Sequence, residues 1–257
     1  MIKLFRKIRQ KLLSENKFSK YLIYAIGEIV LVVIGILIAL QINNWNENRK
    51  ADINQLKYLN LLKKEALKNI SNIDIELDRI KITTEGQKDI FQLIDEAKDT
   101  LSEAHISQTF FNTFSNAIGF NYENSVLTEI KNSGELKNIK NDSLRTILLA
   151  LEPRIHVLRT QEDSYNTLQK NILEYINLNG DMRLIFESVG YSNQLGIGKA
   201  KVKSKGNTIL LSDSYFKNKL IEYMAITNNL TDQLYPSRKK QFVEIITVIE
   251  EEIESKN

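Results

Sequence analysis

The longest apolar stretch of the chain lies near its N-terminus. Residues 21–42 are almost all hydrophobic, and Glu28 is their only charged residue. A helix of this length covers roughly 33 Å at about 1.5 Å per residue, which matches the ~30 Å hydrocarbon core of a bilayer. The pattern therefore predicts a transmembrane helix at residues 21–42.

Both ends of this run carry amphipathic aromatic residues. Tyr21 and Tyr24 stand at one end and Trp45 just beyond the other, and such rings prefer the headgroup region. A buried core helix and a cleaved signal peptide are the alternatives. The run is longer than either usually is, and the residues before the bulky Ile42 make a poor cleavage site. We therefore expect an uncleaved anchor.

After the apolar run, hydrophobic residues recur every three or four positions, as on one face of an amphipathic helix. This pattern predicts one long helix over residues 44–100, or two with a kink, continuing from the membrane segment as a stalk. Gly86 marks a possible break. The stripe consists of Leu56, Leu59, Leu62, Ala66, Ile70, Ile73, Leu77 and Ile80, with a possible extension to Phe91 and Ile94.

Further helices follow, separated by residues that typically begin or end a helix. Short helices are expected at residues 107–117 and 122–132, the second ended by the glycine of Ser133-Gly134. Asn141 is placed to cap the next helix. Pro153 kinks or restarts that helix, which then continues to Asn179-Gly180.

In the last part of the chain, the sequence pattern predicts an irregular stretch followed by two closing helices. The closing helices are expected at residues 213–233 and from there to about residue 255, with Pro236 where the second can begin. Residues 188–212 are the least helical part. Lysines alternate from Lys199 to Lys205, which fits either a short β-hairpin near residues 198–212 or a lysine-rich loop.

Together these patterns predict an all-α protein, in which a single N-terminal transmembrane helix continues into an antiparallel helical bundle. Three parts follow from this architecture: a basic segment at residues 1–20, the transmembrane helix at residues 21–42, and a helical domain at residues 43–257.

The charge distribution predicts the orientation of the membrane helix. Residues 1–20 carry seven basic side chains and one acidic one, whereas residues 43–257 carry 28 basic and 30 acidic ones. The basic flank is expected to stay in the cytoplasm. The helical domain would then lie outside; if the cell is Gram-negative, this places the anchor in the inner membrane and the domain in the periplasm. Residues 2–18 fit either an amphipathic helix on the inner leaflet or a disordered topology signal.

One face of the predicted membrane helix carries Glu28. Gly35 and Ala39 share that face in a small-xxx-small pattern that permits close approach of a second helix. A charge near the centre of a bilayer is costly, so an ionisable residue there usually faces a partner. The pattern predicts a helix–helix interface, in a homo-oligomer or with another membrane protein; the alternative is a protonated, lipid-facing Glu28. The face contains Ala25, Glu28, Val32, Gly35, Ala39 and Ile42.

The N-terminal region resembles a Gram-negative bacterial family of single-span membrane proteins of unknown function. The resemblance rests on the basic N-terminus, the pair Gly27-Glu28 at the start of the span, and the Asn-Asn-Trp-Asn-Glu sequence at residues 43–47. A second, looser similarity covers residues 132–145, whereas Pro153 departs from the family's pattern. The resemblance implies a membrane location and a helical outer domain, and it implies no activity.

No catalytic, cofactor-binding or metal-binding motif is apparent, so we do not expect an enzyme. The chain has no cysteine, and its only histidines, His105 and His156, lack the spacing of a metal site. The near-neutral helical domain has no electrostatic footprint for nucleic acid. The sequence favours a membrane-anchored interaction or scaffold module. A periplasmic sensing or ligand-binding bundle and an enzyme of unrecognised type are the alternatives.

Overall fold

The computed structural model describes residues 18–96, 102–201 and 205–255. The chain forms two compact units, one ending at Lys57 and the other covering Tyr58–Asn257. Within the described residues every regular element is a helix, so the predicted all-α class is confirmed. The predicted interfacial segment at residues 2–18 lies, except for Phe18, outside the described residues.

The first helix, α1, runs without interruption from Phe18 to Glu96. The predicted break at Gly86 is wrong, because α1 continues through this residue. A glycine is needed there for a different reason, which is the close approach of Thr113. A β-carbon on Gly86 would lie 2.2 Å from the Thr113 side-chain oxygen and 3.3 Å from the Thr113 Cα. Gly86 therefore allows a neighbouring helix to approach α1 closely.

Eight α-helices follow α1, counted over the described residues, together with two short 3₁₀ helices and one π-helical turn. The α-helices are α2 (Glu103–Phe114), α3 (Ser125–Asn132), α4 (Asp142–Leu149), α5 (Leu151–Asn179), α6 (Met182–Ser188), α7 (Tyr191–Gln194), α8 (Ser214–Asn229) and α9 (Tyr235–Glu254). The 3₁₀ helices span Glu135–Asn138 and Thr208–Ser212, and the π-helical turn spans Leu230–Leu234. Helices α2 and α6, α5 and α8, and α4 and α9 pack as pairs.

The second unit is held together by a continuous hydrophobic core. Helix α1 contributes Leu59, Leu62, Ala66, Ile73, Ile80, Ile90 and Leu93, which are all buried. The predicted stripe is thus confirmed in its centre, whereas Leu56 is exposed and Ile70, Leu77, Phe91 and Ile94 are partly buried. Aromatic rings fill the middle of the bundle, where Tyr165 of α5 and Tyr223 of α8 contact each other with centroids 4.7 Å apart and ring planes inclined by 45°.

Several predicted helix ends coincide with the observed ones. The Asn141 side chain accepts a hydrogen bond from the Leu144 N–H, as expected of a helix cap. Gly134 has the left-handed conformation, with φ of 74°, directly after α3 and its cap. Pro153 lies in the first turn of α5, and Pro236 lies in the first turn of α9.

The possible β-hairpin at residues 198–212 is absent from the described residues of that stretch, and Thr208–Ser212 forms a 3₁₀ helix instead. Side chains, rather than a strand partner, hold the backbone there. The Arg183 guanidinium donates to the carbonyls of residues 197–199. The Glu103 carboxylate accepts from the N–H groups of Asn207 and Thr208. The described residues on either side of residues 202–204 are therefore held by side chains of other helices.

Candidate functional sites

The N-terminal part of α1 has the length and composition to cross a membrane. It is the one helix in the described part of the chain with this property, and none of its most apolar stretch is buried inside the protein. A core helix would be mostly buried, so the buried-helix alternative does not fit.

The predicted interface residues lie together on one exposed face of α1. Val32 is 58% exposed, and Gly35 and Ala39 are exposed as well. A β-carbon at Gly35 would meet no side chain within 4 Å. Glu28 is partly exposed and borders a shallow groove, of about 330 Å³, that runs along this face. The small-residue face is thus available for contact with another helix.

The predicted aromatic anchors flank the same stretch. Tyr24 is half-buried, and Trp45 is 63% exposed with the Arg49 guanidinium 5.9 Å from its ring centroid. The side chain of Tyr21 lies outside the described residues.

A second candidate site lies inside the bundle, around the connection between α2 and α3. We call residues 115–124 the central segment. It contains no helix, yet Ile118 and Phe120 are only 5% and 4% exposed. A buried backbone without secondary structure needs other hydrogen-bond partners for its N–H and C=O groups. Polar side chains of α1 and α5 are those partners.

Helix α1 offers one polar side chain per turn to this segment. Glu76 accepts from the Gly119 N–H at 3.3 Å, and Asn72 donates to the carbonyl of Asn121 at 2.7 Å. The Asn69 amide bonds both the N–H and the carbonyl of Glu123, at 2.9 and 2.8 Å. One turn earlier, Glu65 caps the first N–H groups of α3.

Helix α5 supplies a matching series from the other direction. The Asn166 amide bonds both the N–H and the carbonyl of Ile118, at 3.0 and 2.8 Å. Glu162 accepts from the Phe120 N–H at 2.9 Å, and the Tyr165 hydroxyl reaches the carbonyl of Asn116 at 3.3 Å.

The two helices contact alternate residues of the segment. Residues 119, 121 and 123 bond to α1, whereas residues 116, 118 and 120 bond to α5. Backbone groups of successive residues point to opposite sides in an extended chain. The central segment, which has no secondary structure of its own, is therefore held from two sides by side chains of α1 and α5.

Two of these side chains are buried carboxylates. Glu76 and Glu162 are each 4% exposed, and Arg79 lies 2.9 Å from Glu76. Glu162 has no basic side chain within 4 Å among the described residues; its Oε1 accepts from the Tyr235 hydroxyl at 2.6 Å and from the Phe120 N–H. Burial raises the pKa of Glu162, as does the charge of Glu76, while these two hydrogen bonds lower it.

This polar site was not predicted from the sequence, although a signal for it exists. The buried positions of α5 follow a strict alternation of three and four residues from Ile155 to Ile176, and Glu162 and Gln169 occupy two of them. On α1, Asn69 and Glu76 likewise stand on the buried stripe. Polar residues at positions of a helical stripe that are otherwise hydrophobic thus indicate a buried polar site.

The fold and these sites define a class: a helical-bundle protein with an N-terminal apolar helix that has the length to span a bilayer. Residues 28–185 match the sequence profile of the Family of unknown function (DUF6090), and the chain belongs to this family. The match includes the Glu28 face from Glu28 onward, the central segment, α5 and the part of α1 that bonds to the central segment. No curated protein and no solved structure matches the chain.

Proposed function

We propose that this protein is a membrane-anchored interaction or scaffold module of the bacterial cell envelope, without catalytic activity. The exposed face of α1 that combines Glu28 with Gly35 and Ala39 is the observation on which this proposal rests. In lipid, helices associate through close backbone contact and polar groups, and this face offers both.

The charge pattern supports a specific arrangement in the membrane. With six net positive charges at residues 1–20, the N-terminus would remain in the cytoplasm of a Gram-negative cell. The chain would cross the inner membrane once and carry its helical domain in the periplasm. In that case, a protease added to spheroplasts removes the C-terminal domain. Its protection would contradict the orientation.

The Glu28 face would bind the same face of a second copy, or a helix of another membrane protein. All copies insert in one orientation, so a symmetric contact between two copies places each residue close to its counterpart. Val32 lies on the predicted interface, whereas Leu37 lies about 180° from Glu28 at ~100° per residue. These two positions therefore distinguish the interface from the lipid-facing side.

Single-cysteine crosslinking tests this interface directly, because the natural chain contains no cysteine. Val32→Cys should form disulfide-linked dimers in native membranes, and the matched control Leu37→Cys should not. Adding Glu28→Leu to Val32→Cys should reduce the dimer. A photo-crosslinking residue at position 32 captures the partner if it is a different protein. Equal crosslinking at both positions, unaffected by Glu28→Leu, would contradict the proposal.

A second candidate function is a periplasmic sensing or ligand-binding bundle that signals through a partner. It is favoured by a polar pocket of about 710 Å³, bordered by Tyr175, Asn179, Lys205 and Asp213. The test is thermal unfolding of the full-length protein with the small-molecule fraction of a periplasmic extract. A rise in the midpoint that is lost in Lys205→Ala would support this function, and no rise would count against it.

A further inference from the structure

The two buried carboxylates bind neighbouring peptide groups of the central segment from different helices. Glu76 of α1 accepts from the Gly119 N–H, and Glu162 of α5 accepts from the Phe120 N–H. The segment is thus held at consecutive residues by two acids of like charge. Two such acids cannot both ionise in a buried site without repulsion, unless a cation or water compensates them.

The surrounding charges compensate the two acids unequally. On α1, Arg79 lies beside Glu76, but its side chain is half-exposed. On α5, the exposed Arg159 acts on Glu162 only at a distance, and Tyr165 lies on the same face. On α9, Tyr235 donates to Glu162. Burial raises the pKa of the Tyr235 hydroxyl, so this hydroxyl stays protonated and remains a donor.

Glu162 also has a place for a proton. Both of its hydrogen bonds end on Oε1, and none of the described groups donates to Oε2. A proton from solvent can therefore bind at Oε2 without breaking either hydrogen bond, and it removes the repulsion with Glu76.

We propose that Glu76 and Glu162 form a proton-linked clasp on the central segment, which tightens when the medium is acidified and loosens when the pH rises. This device is independent of the membrane interface proposed above. It would make the packing of the bundle respond to the pH of the compartment that contains it.

The direction follows from linkage. Burial raises the pKa of Glu162 above its unfolded value, so the folded state binds more protons between these two values. The stabilisation that comes from protonated Glu162 is therefore fully present when the pH is below the unfolded pKa, near 4.5. It is lost as the pH rises through the folded pKa. One linked proton changes an opening equilibrium by at most about tenfold per pH unit.

Hydrogen–deuterium exchange of the full-length protein in detergent micelles tests the clasp from the unfolded pKa of Glu162, near 4.5, upward. After correction for intrinsic exchange, peptides covering residues 115–124 should be more protected at low pH, by up to about tenfold per unit. Glu162→Gln keeps the acceptor oxygen but carries no charge. In this variant the protection of residues 115–124 should therefore be high and independent of pH. The matched control Glu174→Gln, exposed on the same helix, should keep the wild-type slope.

Two outcomes would overturn the clasp: wild-type protection that is constant or rises with pH, or a slope that persists in Glu162→Gln. If that variant does not fold, Glu76→Gln provides the test. Removing the neighbouring charge should move the pH-dependent window to lower pH, and an unchanged window would refute the role of the pair.

Discussion

Replacing Gly86 by alanine tests whether close helix contact, rather than helix propensity, determines this residue. At an open helical site the change stabilises by about 1 kcal/mol. Here the new β-carbon would lie 2.2 Å from the Thr113 hydroxyl oxygen, 3.2 Å from its Cβ and 3.3 Å from its Cα. Rotating the Thr113 side chain removes only the first overlap, so α1 and α2 must move apart.

Overpacking of this kind typically costs about 1–3 kcal/mol. After subtraction of the propensity gain, we expect Gly86→Ala to lower the free energy of unfolding by roughly 1 kcal/mol. For a unit of this size, that loss corresponds to a midpoint lower by about 2–4 °C. Thermal and urea unfolding of the full-length protein in micelles, followed by circular dichroism, measures both quantities.

Ala225→Gly is the matched control, because Ala225 is exposed in the middle of α8 and reports the propensity effect alone. It should cost about 1 kcal/mol. The double variant Gly86→Ala/Thr113→Ala should recover part of the loss. If Gly86→Ala instead stabilises the protein by as much as Ala225→Gly destabilises it, the steric explanation is refuted.

Two further predictions concern side chains that hold irregular backbone. Asn166→Ala removes both hydrogen bonds to Ile118 and should lower the free energy of unfolding, measured in urea, by about 2 kcal/mol. The control Asp163→Ala, at an exposed neighbour, should lower it by less than ~0.5 kcal/mol. Equal effects of the two substitutions would contradict the role of Asn166. Arg183→Ala removes the donor to three loop carbonyls, so limited trypsin digestion should cut after Lys199 several-fold faster, and an unchanged rate would contradict this fastening.

Helix periodicity predicted most of the fold because it depends on local sequence and on burial. The stripe from Leu59 to Ile80 and the boundaries at Asn141 and Pro153 are all local features. The role of Gly86 could not be predicted in this way, because it depends on contact with Thr113. Thr113 is 27 positions away in sequence, and only the tertiary structure brings it near.

The two candidate sites differ in how far the sequence could indicate them. The face containing Glu28 is a property of one helix, so its spacing alone was sufficient to propose it. The polar site depends on which backbone lies opposite Glu76 and Glu162, and helix spacing does not contain that information. A polar residue on a core stripe indicates that a partner exists, but it does not identify the partner.

The hydrogen bonds from α1 and α5 to the two sides of the central segment also affect the solubility of the protein. An extended strand with free N–H and C=O groups can pair with another chain and start aggregation. Here side chains of α1 and α5 bond backbone groups on both sides of the central segment, so fewer of these groups are free to pair with another chain. Variants that release the segment should therefore precipitate through intermolecular β-structure, in a protein whose described residues contain no strand.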